Sequence, residues 1–327
     1  MTEGSATVGL MGDVMLGRAV AGQLQRQAPQ SVWSDDVIEV CESCDAVLAN
    51  LECCISERGT PTSRIPGKPF FFRAPPTAVD ALRAAGVVAV SGANNHALDY
   101  ETEALLDTLD YLEAAGLALA GAGGDAERAR RGLMVDIGGV RLGLVALTDH
   151  PVEFAAGDEE PGVAWADLPR EVPQWATREL RRLRAEADLL VAFPHWGPNM
   201  TTAPARWQRQ RAAELIAAGA DLVAGHSSHV FHGVERIEEK LVLSDLGDAL
   251  DDYAVDARLR NDLGFLALWH PGGDPDLELV GLRLDFCRTD LARGADAEWI
   301  AQRLERACAE LGTPIERSAE QRFALVR

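Results

Sequence analysis

The chain has 327 residues, 47% of them hydrophobic and 25% charged, a balance that can bury a sizeable core and excludes a disordered chain. Its formal net charge of −20, from 51 acidic against 31 basic side chains, leaves too little cationic surface to displace counterions from a phosphate backbone, so nucleic acid is excluded as a partner. No run of about 18 apolar residues offers a membrane span or anchor, and residues 1–6 have neither the basic nor the apolar region of a signal peptide, so the expected location is cytoplasmic.

In chain order, an apolar run at 7–11 has strand length and is followed by a helical pattern at 18–27. A strand at 46–51 leads into 57–76, a stretch rich in proline and glycine that reads as a long loop over a site. Then come a helix at 77–85, a strand at 87–90, a helix at 101–115 and strands at 117–120 and 142–147. After a second long loop at 153–169, a helix at 172–187, a strand at 189–193, a helix at 204–218 and a strand at 222–224 complete the alternation. Helices that stop at Gly86, Gly116 and Gly219 fit a left-handed terminal residue.

Past Gly225 the pattern changes: 230–236, 240–244, 265–270 and 277–284 read as strands with little helix between them, and a helix follows at 297–311. The first part predicts parallel strands covered by helices, and the second part predicts another sheet. Two sheets face to face with helices outside give an α/β fold of the four-layer α/β/β/α sandwich type. A single domain over 1–327 is expected, with its core at about 7–270 and the C-terminal strands and helix completing it.

Five polar signatures each follow a predicted strand: Gly12-Asp13, Asn50-Leu51-Glu52, Asn94-Asn95-His96, His195-Trp196-Gly197 and Gly225-His226-Ser227-Ser228-His229. The carboxyl ends of strands in such a fold open onto one crevice, so these distant residues can meet there. Taken singly, each has an ordinary explanation: Asp13 as a helix cap, Glu52 as a solvated loop carboxylate, Asp99 as a cap, His195 as a satisfied core residue. Together, their imidazole, carboxylate and amide donors suit manganese, zinc or iron better than calcium. Six cysteines include Cys41 and Cys44 at a zinc-knuckle gap, but no second such spacing follows, and buried thiols are the expected state. His150, His232 and His270 match no signature; His232 reads as a supporting or exposed residue, and Trp196 as packing of the cleft wall.

The ordered set of signatures, closed by Leu243-Ser244-Asp245-Leu246-Gly247-Asp248, resembles the CapA family, which includes poly-γ-glutamate capsule synthesis proteins with a calcineurin-like metallophosphatase fold. The resemblance implies a metal cleft formed by Asp13, Glu52, Asn95, His96, His195, His226 and His229 around one or two divalent ions. It places Lys68 and Arg73 on an overhanging loop that meets a small anionic substrate. The chain departs from the pattern at Met15, where metallophosphatases usually carry histidine. Ser227 and Ser228 replace the second histidine and the proline of Gly-His-His-Pro-His, and Asp248 stands in place of the asparagine of Gly-Asn-Phe.

The leading functional expectation is a metal-dependent hydrolase of a phosphoester or phosphorylated intermediate. One of His96, His226 or His229 would protonate the leaving oxygen. The alternative is a noncatalytic or amide-forming partner, alongside an amide ligase, in poly-γ-glutamate or related γ-glutamyl synthesis.

Overall fold

The computed structural model describes residues 6–325; residues 1–5, the greater part of the 1–6 segment considered above, lie outside the described residues, as do 326–327. A ten-stranded sheet has the strand Val8–Val14 at its centre. On one side Val8–Val14 pairs in parallel with Ala46–Leu51, which continues to Val87–Ser91 and Ala118–Ala120. On the other side the ladder turns antiparallel, through Leu263–Trp269 to Leu277–Asp285 and the C-terminal hairpin Ile315–Ala319 and Arg322–Leu325. A six-stranded sheet runs Val234–Ile237, Lys240–Leu243, Leu222–Ala224, Leu189–His195, Val140–Thr148 and Leu133–Ile137.

The two sheets face each other across one core, in which Leu10, Leu48 and Ala89 of the first meet Leu144, Phe193 and Leu243 of the second. Arg18–Leu24, Asp35–Glu42 and Ala78–Ala84 cover the outer face of the first sheet, and Gln174–Arg184 and Arg206–Ala217 that of the second. The four-layer α/β/β/α sandwich is therefore the fold.

Two details differ from the periodicity. The last helix, Gly294–Glu310, does not cover an outer face: Ala297, Ile300, Leu304 and Cys308 enter the core between the sheets beside Phe231 and Leu279. The predicted strand at 230–236 begins only at Val234, because residues 230–233 belong to the loop that closes the site. The sequence pattern also missed the helix Asp35–Glu42, whose N-cap Ser34 accepts from Val37 N at 3.3 Å; at eight residues it spans little more than two turns, too short for a clear period. No helix among the described residues is long and apolar enough to cross a membrane.

Candidate metal centre

Strand register gathers the carboxylates. Asp13 lies opposite Asn50 on one neighbouring strand and Asp248 on the other, with ladder irregularities beside it that re-aim side chains. Asn50 Nδ2 donates to Asp13 Oδ1 at 2.7 Å and Ser227 N donates to Oδ2 at 3.2 Å, so each oxygen keeps a lone pair for another partner. Glycine is required where the backbones close in: a Cβ on Gly12 would stand 1.8 Å from the Gly247 carbonyl, and one on Gly225 2.2 Å from that of Ser244.

The facing sheet supplies the imidazoles. His195 ends its strand and forms an isolated bridge to His226, and their Nδ1 atoms stand 2.8 Å apart. These atoms lie 3.8 and 3.4 Å from Asp13 Oδ1, respectively. His229 Nδ1 is 3.6 Å from Asp13 Oδ2 and 2.9 Å from Asp248 Oδ1. Two groups of donors result, Asp13 with His195 and His226, and Asp13 with Glu52, His229 and Asp248; within each, the ligand-type atoms lie within 4.8 Å of one another. Asp13 belongs to both.

The electrostatics of the cluster fit a cation. Burial, then the Asp13 charge, pushes Glu52 well above the usual carboxylate range. Burial likewise raises Asp248, against the pull of His229. Burial opposes charge on His229, yet Asp248 and Glu52 outweigh it and hold the imidazole protonated. Burial and then the neighbouring His226 keep His195 neutral, the form that ligates metal. Glu52 Oε1 and Asp248 Oδ2 are buried without a hydrogen-bond partner. Unsatisfied acceptors among crowded carboxylates, beside the neutral His195 imidazole, fit a divalent ion, whose binding would replace the His229 proton. Among the described residues the candidate metal groups contain no cysteine, and all six thiols are free.

Beside this cluster lies a cavity of about 470 Å³ lined by Asn95, His96, His229, Lys68, Arg18 and Tyr253, among others. His96 Nδ1 hydrogen-bonds Asp99 Oδ2 at 2.6 Å, and its ring stacks on Phe72 at 3.9 Å. Burial pulls His96 down to about 4. His96 is in neither donor group, and Asn95 Oδ1 at the cavity is buried without a hydrogen-bond partner. Lys68 Nζ donates to Asn95 O at 2.9 Å and sits 3.2 Å from Asp99 Oδ1, at the cavity wall.

Arg73 is not brought to the cavity. Its Nη1 donates to the carbonyls of Arg58 and Gly59 at 2.9 and 3.2 Å, and its guanidinium lies 4.1 Å from the Tyr100 ring centre. Arg18 lines the wall in its place, held by Asp252 at 3.2 Å.

The fold also places here Asp248, which the sequence marks as a departure from Gly-Asn-Phe, and two residues that sequence reasoning passed over, Tyr253 and His150. Tyr253 donates its hydroxyl to Glu52 Oε2 at 2.9 Å. His150 stands 5.2 Å from the His195 ring, its Nδ1 against Asp149. The signal for His150 was its place just after a strand, the rule applied to the other five signatures. His232 is buried and its Nε2 donates to the Thr201 carbonyl at 3.2 Å, supporting the cleft loop, and Trp196 Nε1 donates to Ser244 O at 2.8 Å within the wall.

A family model described as bacterial capsule synthesis protein PGA_cap matches residues 7–253, which contain every one of these site residues. The chain belongs to this family. A probable polyglutamine synthesis accessory protein of Mycobacterium tuberculosis is 33% identical over 82% of this PGA_cap chain and 73% of its own length. The PGA biosynthesis protein CapA of Bacillus subtilis is 27% identical over 74% of this chain, and the capsule biosynthesis protein CapA of Bacillus anthracis 26% over 75%. The matches span 62% and 60% of those two Bacillus proteins. Solved structures superimpose loosely: a putative 5'-nucleotidase from Staphylococcus aureus reaches a TM-score of 0.47 at 12% identity, over 92% of this chain and 58% of that one, too loose to bear on the chemistry here.

Proposed function

We propose that this PGA_cap protein is a metal-dependent hydrolase of a phosphoester or phosphorylated intermediate. The observation that carries the reading is Asp13, shared by two donor groups beside an open cavity. One or two divalent ions, manganese, zinc or iron, would be held by Asp13, His195 and His226 and by Asp13, Glu52, His229 and Asp248. When bound, such an ion supplies charge neutralisation and a water acidic enough to ionise near neutral pH.

The chain's own residues have separable tasks. Asn50 and the Ser227 amide fix the Asp13 carboxylate. Asp99 accepts from His96 Nδ1, so in the neutral ring Nε2 is an acceptor; to protonate a leaving oxygen His96 must first take up a second proton, which burial disfavours and an anionic substrate in the cavity would favour. Lys68 and Arg18 offer positive charge at the cavity wall to a small anionic substrate. The test is a phosphoester screen of the stripped protein with manganese, zinc and iron added singly: turnover should return with at least one metal.

A second reading, a noncatalytic or amide-forming partner of a ligase in γ-glutamyl chain synthesis, is favoured by the names of the Mycobacterium and Bacillus relatives. Capture of an amide ligase, with no turnover under any of the three metals, supports it over hydrolysis.

A further inference from the structure

The two donor groups are unequal: Asp13, Glu52, His229 and Asp248 make four, whereas Asp13, His195 and His226 make three. Two nearby side chains add no nitrogen to the smaller group. The buried Met15 sulfur accepts from Gly17 N at 3.0 Å, and the Ser227 hydroxyl donates to the Gly197 carbonyl at 3.3 Å.

His150 stands on the solvent side of that smaller group. Parallel pairing sets Thr148 opposite His195, so the chain leaves its strand beside the imidazoles and His150 follows two residues on. The Thr148 hydroxyl donates to the His150 carbonyl at 2.8 Å, and Trp165 Nε1 donates to the Asp149 carbonyl at 3.0 Å, which pins the turn. The Asp149 carboxylate accepts from His150 Nδ1 on one oxygen and from the Gly197 amide, at 3.0 Å, on the other. A carboxylate on one ring nitrogen is the common support of a metal-ligating histidine: it fixes the ring, selects the tautomer and leaves a lone pair on the other nitrogen. That other nitrogen, Nε2, is 3.5 Å from Ser227 Oγ, too long for a strong hydrogen bond.

The ring separations match a shared ion. His150 and His195 have ring centres 5.2 Å apart, and His195 and His226 4.9 Å. Two imidazoles on one tetrahedral ion, with metal–nitrogen bonds of about 2.0–2.1 Å, stand roughly 5 Å apart between ring centres. His150 lies outside the three-donor group as it stands, and a side chain 33% exposed leaves its ring room to close.

We propose that His150 is a fourth ligand of the ion held by Asp13, His195 and His226, oriented by Asp149 and completing a site of three imidazoles and one carboxylate suited to zinc. Imidazole nitrogen favours zinc, while the other group is richer in oxygen donors. The small Ser227 side chain leaves space for the His150 ring, which a longer one at that position would meet. The assignment rests on the metal centre of the hydrolase reading and not on turnover.

The test is titration of the stripped whole chain with cobalt(II), a visible stand-in for zinc, with zinc competition to give the affinity. The parent should develop the strong visible absorption of a low-coordinate nitrogen site. H150A should weaken binding at least roughly tenfold and lower that absorption, and free imidazole should restore both. H150Q separates ligation from support: its amide can still hydrogen-bond Asp149 or Ser227 but supplies no ring nitrogen, so it should behave as H150A does. Both variants should keep the circular dichroism of the parent. The proposal is overturned if H150A or H150Q binds the ions as the parent does; a parent that takes up neither ion overturns the centre with it. Binding that depends on His150 without turnover of any phosphoester contradicts the hydrolase reading and supports the ligand assignment.

Discussion

His195 and His226 face each other through Nδ1 atoms 2.8 Å apart, each turned towards the same oxygen of Asp13. Two facing ring nitrogens can share one proton or one cation, and the depressed basicity of His195 favours the cation. His195→Ala should therefore lower metal content, with a loss of affinity beyond the roughly 10–100-fold expected when only a supporting group is removed. Equilibrium dialysis against zinc or manganese measures it.

Asn50 supports the centre without a charge of its own. Removing its amide in Asn50→Ala frees Asp13 to rotate, and metal affinity should fall roughly 10–100-fold. Circular dichroism of the same sample should show the fold retained.

Stability should depend on pH in opposite ways with and without metal. Folding raises the affinity of Glu52, Asp245 and His229 for protons, Asp245 to about 8, so in stripped protein their contribution is present at lower pH and is lost as pH rises. His96 and His195 are depressed and act the other way, but only below about 6.5, the ordinary histidine value. From pH 6.5 to 8 the melting temperature of stripped protein should therefore fall, while the metal-induced rise in melting temperature should grow. A flat profile for both forms contradicts the charge arrangement.

His96 and Asp99 should separate chemistry from metal binding. Because His96 belongs to neither donor group, His96→Gln should leave metal content unchanged and lower kcat by roughly 10²–10⁴-fold. Asp99→Asn, which breaks the 2.6 Å contact that orients the ring, should reduce kcat less. Single-turnover kinetics at saturating substrate resolves the two.

The sequence made the sandwich legible because strand and helix periodicities alternate clearly as far as Gly225, and five signatures sit where strands end. Contacts set by register were harder to see. No spacing rule shows that Asp248 pairs opposite Asp13, and Tyr253 reaches Glu52 across 201 positions of sequence. Arg73 shares its loop with Lys68, yet the short pairing of Arg73 with Cys54 turns its side chain to the Arg58 and Gly59 carbonyls, a direction no spacing rule reveals. The last helix carries the apolar stripe of a surface helix. Only the open flank between the sheets explains why that stripe faces the inner core.

The most direct test of the centre is elemental analysis of the purified protein and of Asp13→Ala, because Asp13 is common to both donor groups. The account predicts one or two equivalents of manganese, zinc or iron per chain in the parent and near-complete loss of metal in the folded variant. Equal metal content in the two, or a parent that takes up none of these ions when they are supplied, would contradict it.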